Sequence, residues 1–335
     1  MGLSLVELMV ALAIGLLVVA GVVQVYLSAK QAYRATEALA RVQEAGRFAT
    51  TALVRDIRMA GYAGCPAPGS GAVTNIVDLD GDGNPDPGYT LDASNAIQIE
   101  DEAAGGGGGA GSVVAGTDTI TLRFAAPQMV AVTSPMLNET AQVHVAANPY
   151  SWAAGDVLII TDCERADIFA ATSVASGGGA VGVNIAHGAN KNTQPRLSKA
   201  YSQQAFVLSF VTRKYFVGDT GRTDDAGQPI YALYRQDNGG TPVELVEGIQ
   251  GMEISVALDT NGDGSADTRS DSPGGVSADQ IVAVTVNLWV RSLLDNVVES
   301  PRTFSLGAET VDPPDTDHRL HLVFSATAAL RNRLP

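Results

Sequence analysis

Residues 3 to 60 contain no proline, and residues 1 to 27 contain no lysine or arginine. The first absence leaves a long stretch without the strongest helix breaker. The second removes the basic start of a secretory signal peptide, whose apolar core would also be only roughly 7–15 residues long. Basic residues are scarce, 21 against 36 acidic ones, and the net charge of −15 argues against a nucleic-acid partner, since phosphate binding needs a basic patch. The chain has no serine-nucleophile elbow, no Walker loop and no HExxH motif, so nothing argues for catalysis. Only two cysteines occur, Cys65 and Cys163.

What the chain does have is the run LSLVELMVALAIGLLVVAGVVQVYL over residues 3–27. About 20 apolar residues suffice to span a bilayer as a helix. The run carries one carboxylate, Glu7, and a charge in such a setting is disfavoured unless stabilised. Two unlike partners are open to it. One is the N-terminal end of its own helix, where the macrodipole favours negative charge. The other is an α-ammonium on a neighbouring copy, worth about 4 kcal/mol before desolvation at ~4 Å and an effective dielectric of ~20. From Ser28 to Ala60 charges appear, while Leu39, Val42, Gly46, Ala49, Leu53 and Ile57 recur at three- and four-residue steps. This predicts an amphipathic second half of the same helix, packed on a globular domain and stopped at Gly61.

The stretch Gly2-Leu3-Ser4-Leu5-Val6-Glu7-Leu8-Met9-Val10 resembles the class III signal of type IV prepilins. Arg58-Met59-Ala60-Gly61-Tyr62 with Cys65, the block Asp162 to Phe169 around Cys163, and the closing block His321 to Asn332 resemble PilW-type minor pilins. These are relatives of the J-type pseudopilins of type II secretion. The resemblance implies cleavage between Gly2 and Leu3 by a prepilin peptidase, methylation of Leu3, and an assembly role for Glu7. It implies an α+β, type IV pilin-like fold, in which a long N-terminal helix packs on a large antiparallel β-rich domain. The segments would be a residual leader at 1–2, a membrane or filament-core helix at 3–27, its amphipathic continuation at 28–60 and an exported domain at 61–335. Implied partners are other minor pilins, the major pilin, the inner-membrane assembly platform and a tip adhesin. The implied location is the bacterial inner membrane, with the domain periplasmic, and then the pilus. The implied function is priming of pilus assembly. A J-type pseudopilin and a membrane-anchored binding domain are the alternatives. In an oxidising compartment Cys65 and Cys163 are expected to pair.

Gly is abundant at 36 residues, and short Val/Thr/Ile runs lie between turns, which reads as β-rich. Strands are expected at 96–99, 117–124, 142–146, 157–161, 168–174, 205–216, 230–235, 243–246, 252–258, 281–290, 302–306 and 322–328. Residues 205–216 and 230–235 read as a hairpin around the polar loop GDTGRTDDAGQP. Ala103–Ser112 and Ser176–Gly179 read as mobile glycine-rich insertions. Gly106, Gly108 and Gly111 formally match a dinucleotide fingerprint, but no helix pattern follows them.

Two acidic loops stand out. Asp78, Asp80, Asp82, Asn84 and Asp86 occupy every second place of one nine-residue stretch. Asp259, Asn261, Asp263, Ser265 and Asp267 nearly repeat the layout. Calcium takes six to eight oxygens, and a D-x-[DN]-x-[DN]-G loop offers them at places 1, 3, 5, 7 and 9. Place 12 holds Tyr89 or Ser270 instead of glutamate, so these are not full EF-hands. A structural Ca2+ is expected in each. His318 and His321, three apart, lack a third ligand at useful spacing and are read as ordinary side chains.

Overall fold

A computed structural model describes residues 5–65, 72–176 and 182–330. Gly2 and Leu3 lie outside the described residues, as do most of the second glycine-rich insertion and the end of the closing block. Helix α1 runs unbroken over Leu5–Ile57, 53 residues, about 80 Å at 1.5 Å per residue. The strands that follow are β1 (Val73–Asn75), β2 (Ile97–Glu100), β3 (Thr119–Ala125), β4 (Val130–Ser134), β5 (Val143–Val145), β6 (Val157–Thr161) and β7 (Ala166–Ala170). Then come β8 (Ser173–Ser176), β9 (Val183–Ala186), β10 (Phe206–Thr223), β11 (Pro229–Asp237), β12 (Val243–Glu247) and β13 (Ile249–Leu258). Last are β14 (Thr268–Ser270), β15 (Ile281–Arg291), β16 (Phe304–Leu306), β17 (Glu309–Val311) and β18 (His321–Ala329). The architecture is α+β, with a long apolar N-terminal helix and a large β-rich domain.

Among the described residues, twelve strands form one sheet, in which β10 is the spine. Its first residues pair with β6 and β4, and its later ones with β3 and β11. A second sheet runs in the order β14-β13-β15-β18. Pairing is antiparallel throughout except for β1 against β7. The second sheet receives the helix. Val42, Ala49, Leu53 and Ile57 of α1 share one core with Met252 and Ile254 of β13, Val286 and Leu288 of β15, and Ala328 of β18. A separate core, built around Trp152, Leu158, Phe169, Tyr201 and Val207, fills the part of the domain remote from α1.

The two halves of α1 differ as the pattern requires. From Leu5 to Leu27 the side chains are exposed on every face, Leu5 and Leu17 among the most exposed. An 18-residue window there has mean hydropathy 2.7, long and apolar enough to cross a membrane. Beyond it the buried positions are Ala38, Val42, Gly46, Ala49, Leu53, Asp56 and Ile57. Leu39 is instead 39% exposed, because the stripe passes through its neighbour Ala38. The helix ends at Ile57 and the chain turns away at Gly61, whose φ of 76° a glycine adopts without strain.

Several expectations need correction. The stretch expected as one strand at 168–174 is two, β7 and β8, turning at Ala171-Thr172. The hairpin loop expected after Phe216 is mostly strand. Val217 pairs with Leu233 and Asp219 with Tyr231, and the turn shrinks to residues 224–228. The first glycine-rich stretch is held by its backbone. Gly111 and Val114 donate to the carbonyls of Asp219 and Val217, and Asp219 donates to Ser112. Backbone ladders need no side-chain pattern, so composition gave no sign of this. Strands β1, β4, β9, β14 and β17 were not expected. Most are three or four residues long, too short for alternation to register.

Gly46 marks the closest approach of helix and sheet. A Cβ built there would lie 2.3 Å from the ring of Phe324 on β18. Gly46→Leu therefore forces the helix off the sheet and is expected to cost about 1–3 kcal/mol. It should lower the melting temperature of the full chain in detergent. Gly21→Leu, with nothing within 4 Å, should leave that temperature unchanged.

Candidate functional site

The chemistry-bearing groups fall into four places: the apolar half of α1, the helix–sheet junction, the disulfide region and the two acidic loops. Glu7 lies in the first turn of α1 as described, where the helix end favours its charge.

The junction is built on Asp56. Its side chain is 4% exposed, although its neighbours Arg55 and Arg58 face solvent. Arg213 of β10 donates to Asp56 at 2.6 Å and Tyr215 at 2.6 Å, while Arg55 donates at 3.1 Å. Arg213 also forms a two-pronged pair with Asp237 of β11, at 2.7 and 2.9 Å. Its guanidinium lies 5.5 Å from the centre of the Phe124 ring. Burial works to raise the Asp56 pKa. The Tyr215 and Arg213 hydrogen bonds and the Arg213 charge outweigh it, holding the carboxyl below its ordinary 3.8. Asp56 is one of the charges that appear between Ser28 and Ala60. The signal was present, because position 56 is three residues after Leu53 on the buried stripe.

A second buried charge cluster joins β15, β18 and the β10–β11 turn. Arg319, with a 5% exposed side chain, donates to Asp224 at 2.6 Å and lies 3.3 Å from Asp317 and 3.8 Å from Asp295. His321 accepts from the Trp289 indole N–H at 3.0 Å. Its other nitrogen lies 3.3 Å from Asp317. Burial, with the Arg291 and Arg319 charges, lowers the His321 pKa against the pull of Asp317. His318 turns elsewhere, its Nδ1 2.9 Å from the Glu299 carbonyl.

Cys65 and Cys163 are bonded, with Cα atoms 4.5 Å apart and 98 positions between them in sequence. Closing so long a loop stabilises by about 4–5 kcal/mol in the chain-entropy model. The bond ties the chain leaving α1 to the β6–β7 turn, where Lys199 pairs with Asp162 at 2.5 Å.

The two acidic loops lie apart in the fold but share one hydrogen-bond scheme. In the first, Asp78 accepts from the Gly81 and Gly83 N–H groups at 2.7 and 3.1 Å. Asp86 accepts from Leu79 at 2.8 Å. In the second, Asp259 accepts from Gly262 and Gly264 at 2.6 and 2.7 Å, and Asp267 from Thr260 at 2.8 Å. Asp82 likewise accepts from Asn84, and Asp263 from Ser265, each at 2.7 Å. The Gly264 N–H leads the bonds that hold the Asp259 carboxyl below its ordinary value.

The loops differ at place 3. In the first, one carboxylate oxygen from each of Asp78, Asp80 and Asp82 lies within 4.8 Å of the others. Among the described residues no lysine or arginine pairs with them. That donor set fits a hard cation. In the second, the Asn261 amide donates to Asp263 at 3.3 Å and Asp267 at 3.1 Å, so the loop closes on itself. The expectation of equal sites thus resolves into two unlike loops on one backbone plan.

Comparison with known proteins gives one match. Residues 214–332 match the family model PilW, Type IV Pilus-assembly protein W. Over this stretch, about a third of the chain, the sequence is similar to a family of type IV pilus-assembly proteins. No curated protein and no solved structure matches the chain. The PilW region starts at Lys214 in β10 and contains Tyr215, β11 to β18, the second acidic loop and the Arg319 cluster. It holds the whole four-stranded sheet on which α1 lies.

Asp56→Ala should remove the hydrogen-bonded tie between α1 and β10. Arg213 keeps Asp237, so the cost should fall near the lower end of the 3–5 kcal/mol typical of a broken buried pair. Because the folded pKa of Asp56 is depressed, its contribution is present above the unfolded value and is lost as pH falls through the folded one. Urea titrations across the acid range should show that loss in the wild type and not in Asp56→Asn.

Proposed function

We propose that the chain is a minor pilin that enters the inner membrane by α1, with its β-rich domain in the periplasm, and helps to start a type IV pilus. The observation that carries this reading is one unbroken helix. Its apolar half stands clear of the domain, and its other half packs on a sheet that lies within the stretch similar to PilW. A rigid rod of this kind transmits the position of a membrane or filament core directly to the domain. In this reading a prepilin peptidase cuts between Gly2 and Leu3. The new amine at Leu3, methylated, pairs with Glu7 of a neighbouring pilin and sets axial register. The partners are other minor pilins, the major pilin and the assembly platform, with the domain near the tip beside an adhesin.

Mass spectrometry of the native N-terminus tests the processing step. The expected mature protein begins at methylated Leu3, and recovery of Met1-Gly2 on the mature chain would sink it. For register, Glu7→Ala should insert in the membrane normally and fail to enter pili. Normal incorporation of that variant rules out the pairing.

The first acidic loop holds Ca2+ in this reading, through the carboxylates of Asp78, Asp80 and Asp82, with Asp86 and the Asn84 carbonyl at hand. The second, built on Asp259, Asn261, Asp263, Ser265 and Asp267, is the weaker ligand. When bound, the ion neutralises carboxylates that otherwise repel and fixes the chain leading into the disulfide-bearing sheet. Calcium at a hundredfold excess over its dissociation constant should stabilise the protein by about 2.7 kcal/mol. Thermal melts with calcium and with chelator measure this. Asp80→Ala with Asp82→Ala should abolish most of the shift, and a wild-type melt indifferent to calcium removes the ion from the account.

A further inference from the structure

The exposed face of the second half of α1 is basic, while the domain is acidic. Residues 28–58 hold six of the 21 Lys/Arg and only three of the 36 Asp/Glu. With Glu7 counted, residues 59–335 hold 15 Lys/Arg against 32 Asp/Glu, so the negative charge resides beyond the helix. Arg47, Thr51, Arg55 and Arg58 are all exposed and follow one another at steps of four, four and three, so they form one stripe. Val54 of α1, Met59 just past its end and Ala326 of β18 floor a shallow groove beside it. Arg55 pairs with Asp56. Among the described residues, Arg47 and Arg58 have no acidic partner.

The chain's own domain does not cover this stripe, because it sits on the opposite face, against Val42, Ala49 and Leu53. Lipid headgroups lie too far away. Arg47 is 20 residues beyond Leu27, about 30 Å up the helix, several times the ~8 Å screening length at physiological salt. A second chain anchored in the same membrane carries its acidic domain at the height of residues 38–57, level with the stripe.

We propose that the Arg47–Arg58 face of α1 is a docking surface for the acidic β-rich domain of a second copy of this chain. The proposal rests on the membrane placement above for the shared height of the two domains. Complementary charge guides the encounter and fixes orientation, while Val54, Met59 and Ala326 supply apolar contact.

Sedimentation equilibrium of the full chain in neutral detergent at low salt tests it. The expected result is reversible self-association. Its dissociation constant should rise about tenfold in Arg47→Glu/Arg58→Glu, and similarly for the wild type in high salt. Arg55 is left in place so that the Asp56 junction stays intact. An unchanged melting temperature and an intact Cys65–Cys163 bond exclude misfolding. Arg196→Glu, exposed on the domain, should not weaken association. A wild type that stays monomeric, an Arg47→Glu/Arg58→Glu chain that associates as before, or an equal effect of Arg196→Glu each overturns the proposal. So does association that follows added anionic lipid rather than protein concentration. Failure of N-terminal processing would instead strike the pilus reading and leave measured docking standing, so the two fail separately.

Discussion

The seam between α1 and the strands β13, β15 and β18 is the constraint on which the rest of the protein depends. Along it the helix contributes aliphatic side chains, one glycine and one acid. Gly46 lets the Phe324 ring lie against the helix backbone, and Asp56 receives Arg213 and Tyr215 from the spine of the other sheet. Apolar contact alone would let a helix slide or rotate on a sheet. A buried carboxylate with three donors admits one arrangement, because any shift leaves a charge without its partners at a cost of several kcal/mol. The exposed apolar half of the helix is thereby fixed in direction relative to the domain.

That fixed direction gives the remaining features their meaning. The disulfide holds the chain just after the helix, where it crosses to β6 and β7, and the first acidic loop follows shortly afterwards. The Arg319 cluster closes the PilW region on the far side of β15. The disulfide thus ties the chain leaving the helix to the twelve-stranded sheet, while the Arg319 cluster ties the β10–β11 turn to the segment leading into β18. Strand β10 pairs with four neighbours in the twelve-stranded sheet and supplies two of the three donors to Asp56.

Much of this was legible from residues in order. The helix was visible because periodicity and the absence of proline are local properties, and strands with a compact apolar run, such as β6, or with partial alternation, such as β15, were found close to their true ends. The glycines of the acidic loops marked both turns, since Gly81, Gly83, Gly262 and Gly264 all adopt positive φ. Asp56, Asp224 and Arg319 were not legible as buried. A charged side chain is buried only when a partner meets it, and the partner of Asp56 is 157 residues away. The glycine-rich stretch at 103–112 was misread for a related reason, as its order comes from backbone bonds to β10 that leave no mark in composition.

By itself the sequence determined that a membrane-length helix continues into an amphipathic one ahead of a β-rich, acidic domain with one pair of cysteines. Those properties follow from side-chain hydropathy and its spacing, which are fixed before the chain folds. Only the tertiary structure decided which face of the helix is covered, that Asp56 is its anchor, and that one acidic loop gathers carboxylates while its twin closes on an asparagine amide. These depend on distances between residues far apart in the chain, set when burial and hydrogen bonding are satisfied together.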